Sequence, residues 1–372
     1  MKSILRILTL LVFIAPFASC NKDISGPTED TPDQNEGETK DTTEVTAPEI
    51  FAKGADISWL TQMEADSVKF YNAENQDIDC IELLKKSGFN AIRLRVWVNP
   101  EDGWCGKEDI LRKASRAYNL GMDLMIDFHY SDTWADPGNQ NPPAEWKGYT
   151  IDEMTTAVKA HTTDILKGLD DLGIDVKWVQ IGNEVNSGML HPSGRIQDSN
   201  AANFVRLVHA GADAAKEIYP DSKTIIHISN GQDKSLFEWF FSLMQQYKVR
   251  YDIIGMSLYP VWWENGGWTL WKPVVNDCLT NIRTLIAKYD KPVMICELGM
   301  PVSEPQMSKE AIRYILDETS KIEKCSGVFY WEPQTDGVWK PAGYYDLGWS
   351  AYDKGAFKDG KPTEALDPFG KE

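Results

Sequence analysis

Two glutamates in this 372-residue chain stand where packing alone gives them no reason to be. Glu184 closes the run "VKWVQIGNE" and Glu297 sits inside "KPVMICELGMP". Each follows a continuously apolar stretch that reads as a buried strand, and each precedes a loop rich in Gly or Asn. Two carboxylates held about 5 Å apart would repel by about 3 kcal/mol at an effective dielectric near 20. Such a pair keeps one proton between its members. The protonated acid can donate to a leaving oxygen while the ionised one attacks carbon. Forming the ester removes the nucleophile's charge, so the other acid loses its grip on a proton and can serve as a base toward water. Around a bound sugar this is the chemistry of retaining glycoside cleavage. Asn183, beside Glu184, offers an amide for a substrate hydroxyl. The "RLR" triplet offers Arg93 and Arg95, two residues apart and on one strand face, as a cation that would keep one carboxylate ionised.

Positioning such groups requires a scaffold whose strands end at one place. From about residue 50 apolar runs alternate with helical patterns: "KGADISW", "AIRLRVWV", "DLMIDFHY", "VKWVQIGNE", "KTIIHISNG", "YDIIGMSLYP", "KPVMICELGMP" and "GVFYWEP". The runs do not alternate polar with apolar, as befits strands covered on both faces. The helical segments stop at Gly88, Gly121 and Pro220. Eight such units in one domain predict a (β/α)8 TIM barrel, whose chemistry gathers at the C-terminal ends of its strands. A doubly wound sheet would want a glycine-rich phosphate turn after its first strand, and "GADISWL" is not one. The strand ends carry Asp56, Trp59, Trp97, His129, Asp132, Trp134, Asn186, His227, Asn230, Tyr259, Trp262, Trp331 and Glu332 beside the residues named above. The segment "WWENGGWTLWKP" (262–273) reads either as a sugar platform or as an apolar lid.

The beginning of the chain has another character. Lys2 and Arg6 precede an apolar stretch too short to span a bilayer, and "FASC" closes it. Residues 1–19 read as a lipoprotein signal peptide with Cys20 as the lipidated residue, and 20–49 as an acidic, disordered tether. Acids soon after the cysteine point to an outer-membrane lipoprotein exposed at the cell surface. The catalytic domain is then 50–372. The formal charge is −18. Residues 21–50 hold nine acids and two bases and the leader adds two bases, leaving about −13 for the domain. That balance disfavours nucleic acid and suits a neutral partner. Cys80, Cys105, Cys278, Cys296 and Cys325 can form at most two disulfides, or none. Only five His are present, without HxH or HExxH, so a metal-dependent hydrolase has little support. A non-catalytic glycan-binding lipoprotein would have no need of two opposed glutamates with an Asn and an Arg beside them.

Taken in order, "RLRVWVNP", "DFHYSDTWADPG", "IGNEVNSGML", "ICELGMP" and "FYWEP" resemble the endo-β-1,4-galactanases of glycoside hydrolase family 53, from about Gly54 to about residue 355. The resemblance implies a retaining (β/α)8 enzyme acting on β-1,4-galactan, including the (arabino)galactan side chains of pectin. It implies Glu184 as acid/base and Glu297 as nucleophile. It further implies Asn183 on the 2-hydroxyl at the cleavage point, Arg95 ahead of Arg93 as the residue steadying Glu297, Tyr259 bonded to the nucleophile, and Trp331 beneath the sugar. His129, Asp132, Trp134 and Asp136 should line the same subsite, and His227 matches a fifth-strand histidine. The segment "MPVSEPQMSKEAIRYIL" passes quickly from Glu297 to a helix, where some members have a long calcium-bearing loop. No metal or cofactor is therefore implied, and a monomer is expected. Galactan over another β-linked glycan rests on the resemblance alone.

Overall fold

The computed structural model describes residues 50–197, 199–341 and 351–370. The leader, Cys20 and the tether lie outside the described residues. Eight strands follow one another: β1 (Ala52–Asp56), β2 (Ala91–Val96), β3 (Asp123–Phe128), β4 (Trp178–Ile181), β5 (Lys223–Ile228), β6 (Ile253–Leu258), β7 (Val293–Leu298) and β8 (Cys325–Trp331). Each pairs in parallel with its sequence neighbours, and β8 pairs with β1 to close the barrel. The helices between them are α1 (Leu60–Ala65), α2 (Cys80–Lys86), α3 (Lys107–Asn119), α4 (Ile151–Asp170), α5 (Ala202–Ile218), α6 (Lys234–Gln246), α7 (Trp271–Tyr289) and α8 (Pro305–Thr319). Local chemistry marks their starts. Asp79 caps α2 through the amides of Ile81 and Glu82, and Thr150 with Glu153 forms a reciprocal capping box on α4.

The barrel interior is layered. At the bottom Met125, Trp178, Ile225, Ile253, Met294 and Phe329 form an apolar plug, with Ala52 and Ala91 making room for the two large rings. Trp178 and Phe329 meet edge to face at 5.8 Å. Gly54 is required here, because a Cβ would lie 2.1 Å from the Phe329 ring. Two residues further along the strands the inward positions turn polar. Arg93, Asp127, Gln180 and His227 are all buried. Strand period two puts this polar layer directly under the mouth, at the height from which side chains reach the strand ends.

The five described cysteines are buried free thiols. No side chain is committed to a disulfide among the described residues, so apolar packing of the barrel against its helices carries the fold. The tryptophan-rich segment forms a small hairpin, Trp263–Glu264 against Gly267–Trp268. Trp262 and Trp263 are exposed on it, while the Trp268 indole donates to Glu304.

Candidate active site

Glu184 leaves β4 through a turn that depends on Gly182. Gly182 has φ +82°, and a Cβ there would lie 2.6 Å from Val185 Cγ1. Glu184 itself is left-handed at φ 45°. Tyr130, Asn230 and Glu332 share that conformation just past β3, β5 and β8. Non-glycine residues in this region cost about 1 kcal/mol or more each and concentrate where a site is being shaped. Glu297 is delivered differently. Ile295 pairs with Met256 and Glu297 with Ser257, so Cys296 is an extra residue in β7. This bulge turns two consecutive side chains, Cys296 and Glu297, toward the interior.

The two carboxylates meet opposite surroundings. Glu297 is buried, bridged to Arg93 Nη2 at 2.9 Å, and accepts from the Tyr259 hydroxyl at 2.8 Å. Burial raises its pKa, while Arg93 and then Tyr259 hold it down. Glu184 is partly exposed and accepts from Ser257 Oγ at 2.6 Å, with no cation bonded to it among the described residues. Burial, and after it the charge of Glu297, push it up to about 8. At neutral pH the shared proton therefore rests on Glu184, and Glu297 is the member kept as an anion. Tyr259 stays a neutral donor, since burial and the charge of Glu297 push its phenol upward.

Arg93 is the hub beneath them. Its guanidinium reaches Asp56 at 2.6 Å, Asp127 at 2.8 Å and Glu297 at 2.9 Å. It also donates to Gln180 Oε1 and Asn183 Oδ1. Burial opposes its charge, but the three carboxylates outweigh that and raise its pKa well above the usual range. One fixed cation thus faces three acids, and Glu184 beside them retains its proton through burial first and then the charge of Glu297.

A family model described as glycosyl hydrolase family 53 matches residues 52–369. The chain belongs to that family. Among relatives, the probable arabinogalactan endo-beta-1,4-galactanase A of Aspergillus fumigatus is 32% identical over 305 residues, covering 76% of this chain and 83% of the relative. The arabinogalactan endo-beta-1,4-galactanase A of Aspergillus niger is 32% identical over 304 residues, covering 76% and 84%. A structure from a study of two fungal beta-1,4-galactanases superposes with TM-score 0.74 at 28% identity, over 85% of this chain and 98% of that one. The GH53 catalytic domain of Ignisphaera aggregans gives TM-score 0.73 at 27% identity, over 86% and 95%. Xylanase 10B from Thermotoga maritima, at 15% identity, TM-score 0.56 and coverage of 85% and 92%, shares the fold alone. Family 53 membership makes the chain a glycoside hydrolase.

The family 53 residues expected from the sequence fall into three groups. Glu184, Glu297, Asn183, Tyr259 and Trp331 gather at the mouth. Trp331 lies edge to face with Trp59 at 4.9 Å and with Tyr259 at 6.5 Å, so the ring bank runs up to the residue that holds Glu297. Trp134 continues this bank, and with Trp59, Trp97 and Trp104 it walls a hollow of about 410 Å³. The two arginines exchange places relative to expectation. Arg93 steadies Glu297, whereas Arg95 bonds Glu332 at 3.3 Å and lies 4.0 Å over the Trp134 ring. Arg95 starts about 6–7 Å further along the strand, so its long side chain clears the Glu297 level and ends among the tryptophans.

A third group is tied by hydrogen bonds into the loops and the polar layer around the site. His129 accepts the Ala135 amide on Nδ1 and therefore donates from Nε2 to Asp127; burial lowers its pKa. Asp132 faces the aromatic hollow, but its oxygens accept the Asn99 and Ala144 amides and tie loops together. Asp136 turns its own loop through the Gly138 and Asn139 amides, and its charge contributes to raising Glu184. His227 is fully buried below the mouth and cannot line a subsite. Asp127, Gln180 and Ser257 escaped the sequence reading because they lie inside the apolar runs rather than at their ends. Counting back in twos from His129, Gly182 and Tyr259 would have found them.

Proposed function

We propose that this enzyme is a retaining endo-β-1,4-galactanase that cuts internal bonds of β-1,4-galactan, such as the (arabino)galactan side chains of pectin, with Glu184 as acid/base and Glu297 as nucleophile. The observation that carries the assignment of roles is the asymmetry of the pair: Arg93 and Tyr259 hold Glu297, and the neutral Ser257 holds Glu184. In the first step a Glu297 oxygen bonds to the anomeric carbon as the bond to the leaving oxygen breaks, and the Glu184 proton passes to that oxygen. In the second, Glu184 takes a proton from water, the water oxygen bonds to the anomeric carbon, and Glu297 leaves as a carboxylate. Asn183 spends one amide N–H on the Ala135 carbonyl, and its other one is available for the sugar 2-hydroxyl. Trp331 offers its ring to the sugar face. The galactan specificity is drawn from the family 53 relatives, and the scheme uses only side chains of the chain itself.

The protein acts, in this reading, as a monomer tethered to the outer membrane through Cys20, reaching an extracellular polysaccharide. The test is a panel of β-1,4-galactan, arabinogalactan, mannan, xylan and β-1,3-glucan scored by new reducing ends. Galactan should be cut and the activity of Glu297→Gln should fall by about 10³-fold or more. Equal release from mannan or xylan, or an active Glu297→Gln, would overturn the proposal.

A further inference from the structure

His227 and Ser257 connect the underside of Glu184 to the polar layer of the barrel. Ser257 Oγ lies 2.6 Å from Glu184 Oε1 and 2.9 Å from His227 Nε2. His227 Nδ1 lies 2.9 Å from Asn183 Oδ1 and 3.1 Å from Gln180 Nε2. The two amides cannot turn freely. Arg93 donates to Gln180 Oε1, leaving the Gln180 nitrogen toward the histidine. Asn183 Nδ2 donates to the Ala135 carbonyl, leaving its oxygen toward the histidine. One ring nitrogen thus faces both a fixed acceptor and a fixed donor. His227 is fully buried. Burial, with the Arg93 cation as a neighbour, holds it neutral. The one proton it carries is free to sit on either nitrogen.

We infer that Ser257 and His227 form a two-state hydrogen-bond chain that follows the proton on Glu184. When Glu184 is ionised, the Ser257 hydroxyl donates to it, His227 donates from Nε2 to Ser257, and bare Nδ1 accepts from Gln180. When Glu184 is protonated, it donates to Ser257, Ser257 donates to bare Nε2, and His227 donates from Nδ1 to Asn183. Serine and histidine carry one proton each in both states; only Glu184 gains one. Every group in the chain is satisfied either way, so neither protonation state strands a buried donor or acceptor. This matters for a residue that must release a proton in one step and recover it in the next. The charged groups around Glu184 are Glu297 from β7, Asp136 from the loop after β3 and Arg93 from β2; around His227 stand the Arg93 guanidinium and the His129 imidazole, itself held neutral by burial. Ser257 and His227 are therefore positioning residues, acting through Glu184. The inference rests on the acid/base role proposed above for Glu184.

The test is ring-nitrogen NMR of the ¹⁵N-labelled enzyme across pH 5 to 9, with His227→Gln used to assign the signals. His227 should stay neutral and pass from Nδ1–H to Nε2–H with the same midpoint as the basic limb of kcat/KM, and Glu184→Gln should abolish that passage. A single tautomer throughout, or a passage that survives in Glu184→Gln, would overturn the inference. A kinetic arm uses Ser257→Ala, which removes the donor that favours ionised Glu184. Its basic limb should move up by about half to one pH unit, with Ser257→Thr moving it back. A Ser257→Ala profile that superposes on the parent would contradict the chain. Should Glu184→Gln retain full galactan activity, the proposed acid/base role fails; should it be inactive while His227 of the parent enzyme keeps a single tautomer across the pH range, only the chain fails.

Discussion

The decisive residue-scale feature is a single guanidinium. Arg93 is the cation that faces Glu297, and Asp56 and Asp127 hold it from the other sides. Since Arg93 lowers the pKa of Glu297, weakening it lets that pKa rise. A nucleophile that must be ionised then loses activity at a higher pH than before. In Arg93→Lys the acid limb of kcat/KM should move upward, with about 10- to 100-fold lower activity at its optimum, because an ammonium cannot reproduce the fork. Arg95→Lys should leave the acid limb in place, since Arg95 touches Glu332 and the tryptophans. Reversal of these two results in a pH–rate series would show that the expectation from the sequence was the better one. That expectation could not be settled from the chain, where "RLR" places both arginines on one face. What separates them is height along the strand relative to a partner on β7, a tertiary quantity.

At the scale of elements, the two glutamates owe their positions to two different backbone devices. β4 is short and ends in a left-handed turn at Gly182 and Glu184; β7 carries a bulge at Cys296. Gly182→Ala should therefore cost about 1–3 kcal/mol, as a side chain is forced into φ +82° against Val185. It should also lower kcat more than it raises KM, because Glu184 moves while the tryptophan bank does not. Denaturant melts alongside steady-state kinetics would show a change in KM alone if the turn had no part in aiming Glu184. The eight strands were legible in the sequence because strands covered on both faces are apolar throughout, and the helices because glycine and proline stop them. The strand-end residues followed from the fold. The bulge left no trace in "VMICELGMP", where nothing marks Cys296 as unpaired. His227, matched to a fifth-strand histidine of the family, is fully buried below the mouth in β5; periodicity gives the face of a strand but not the depth of a residue below the mouth.

For the whole molecule, the sequence joins a strongly acidic chain to a leader that reads as a lipoprotein signal. A negative surface favours solubility and suits the uncharged polysaccharide proposed as substrate. In Cys20→Ser the proposed anchor is lost, and galactan-cleaving activity should move from the membrane to the soluble fraction on cell fractionation; unchanged membrane association would argue against the lipid. The proposed reaction turns on one covalent event at the barrel mouth. An activated 2-deoxy-2-fluoro-galactobioside slows both steps while its leaving group restores the first, so the glycosyl ester should accumulate. Mass mapping of the proteolysed adduct should then find the sugar on the peptide that contains Glu297, and an adduct on Glu184, or inactivation without any sugar bound at Glu297, would contradict it.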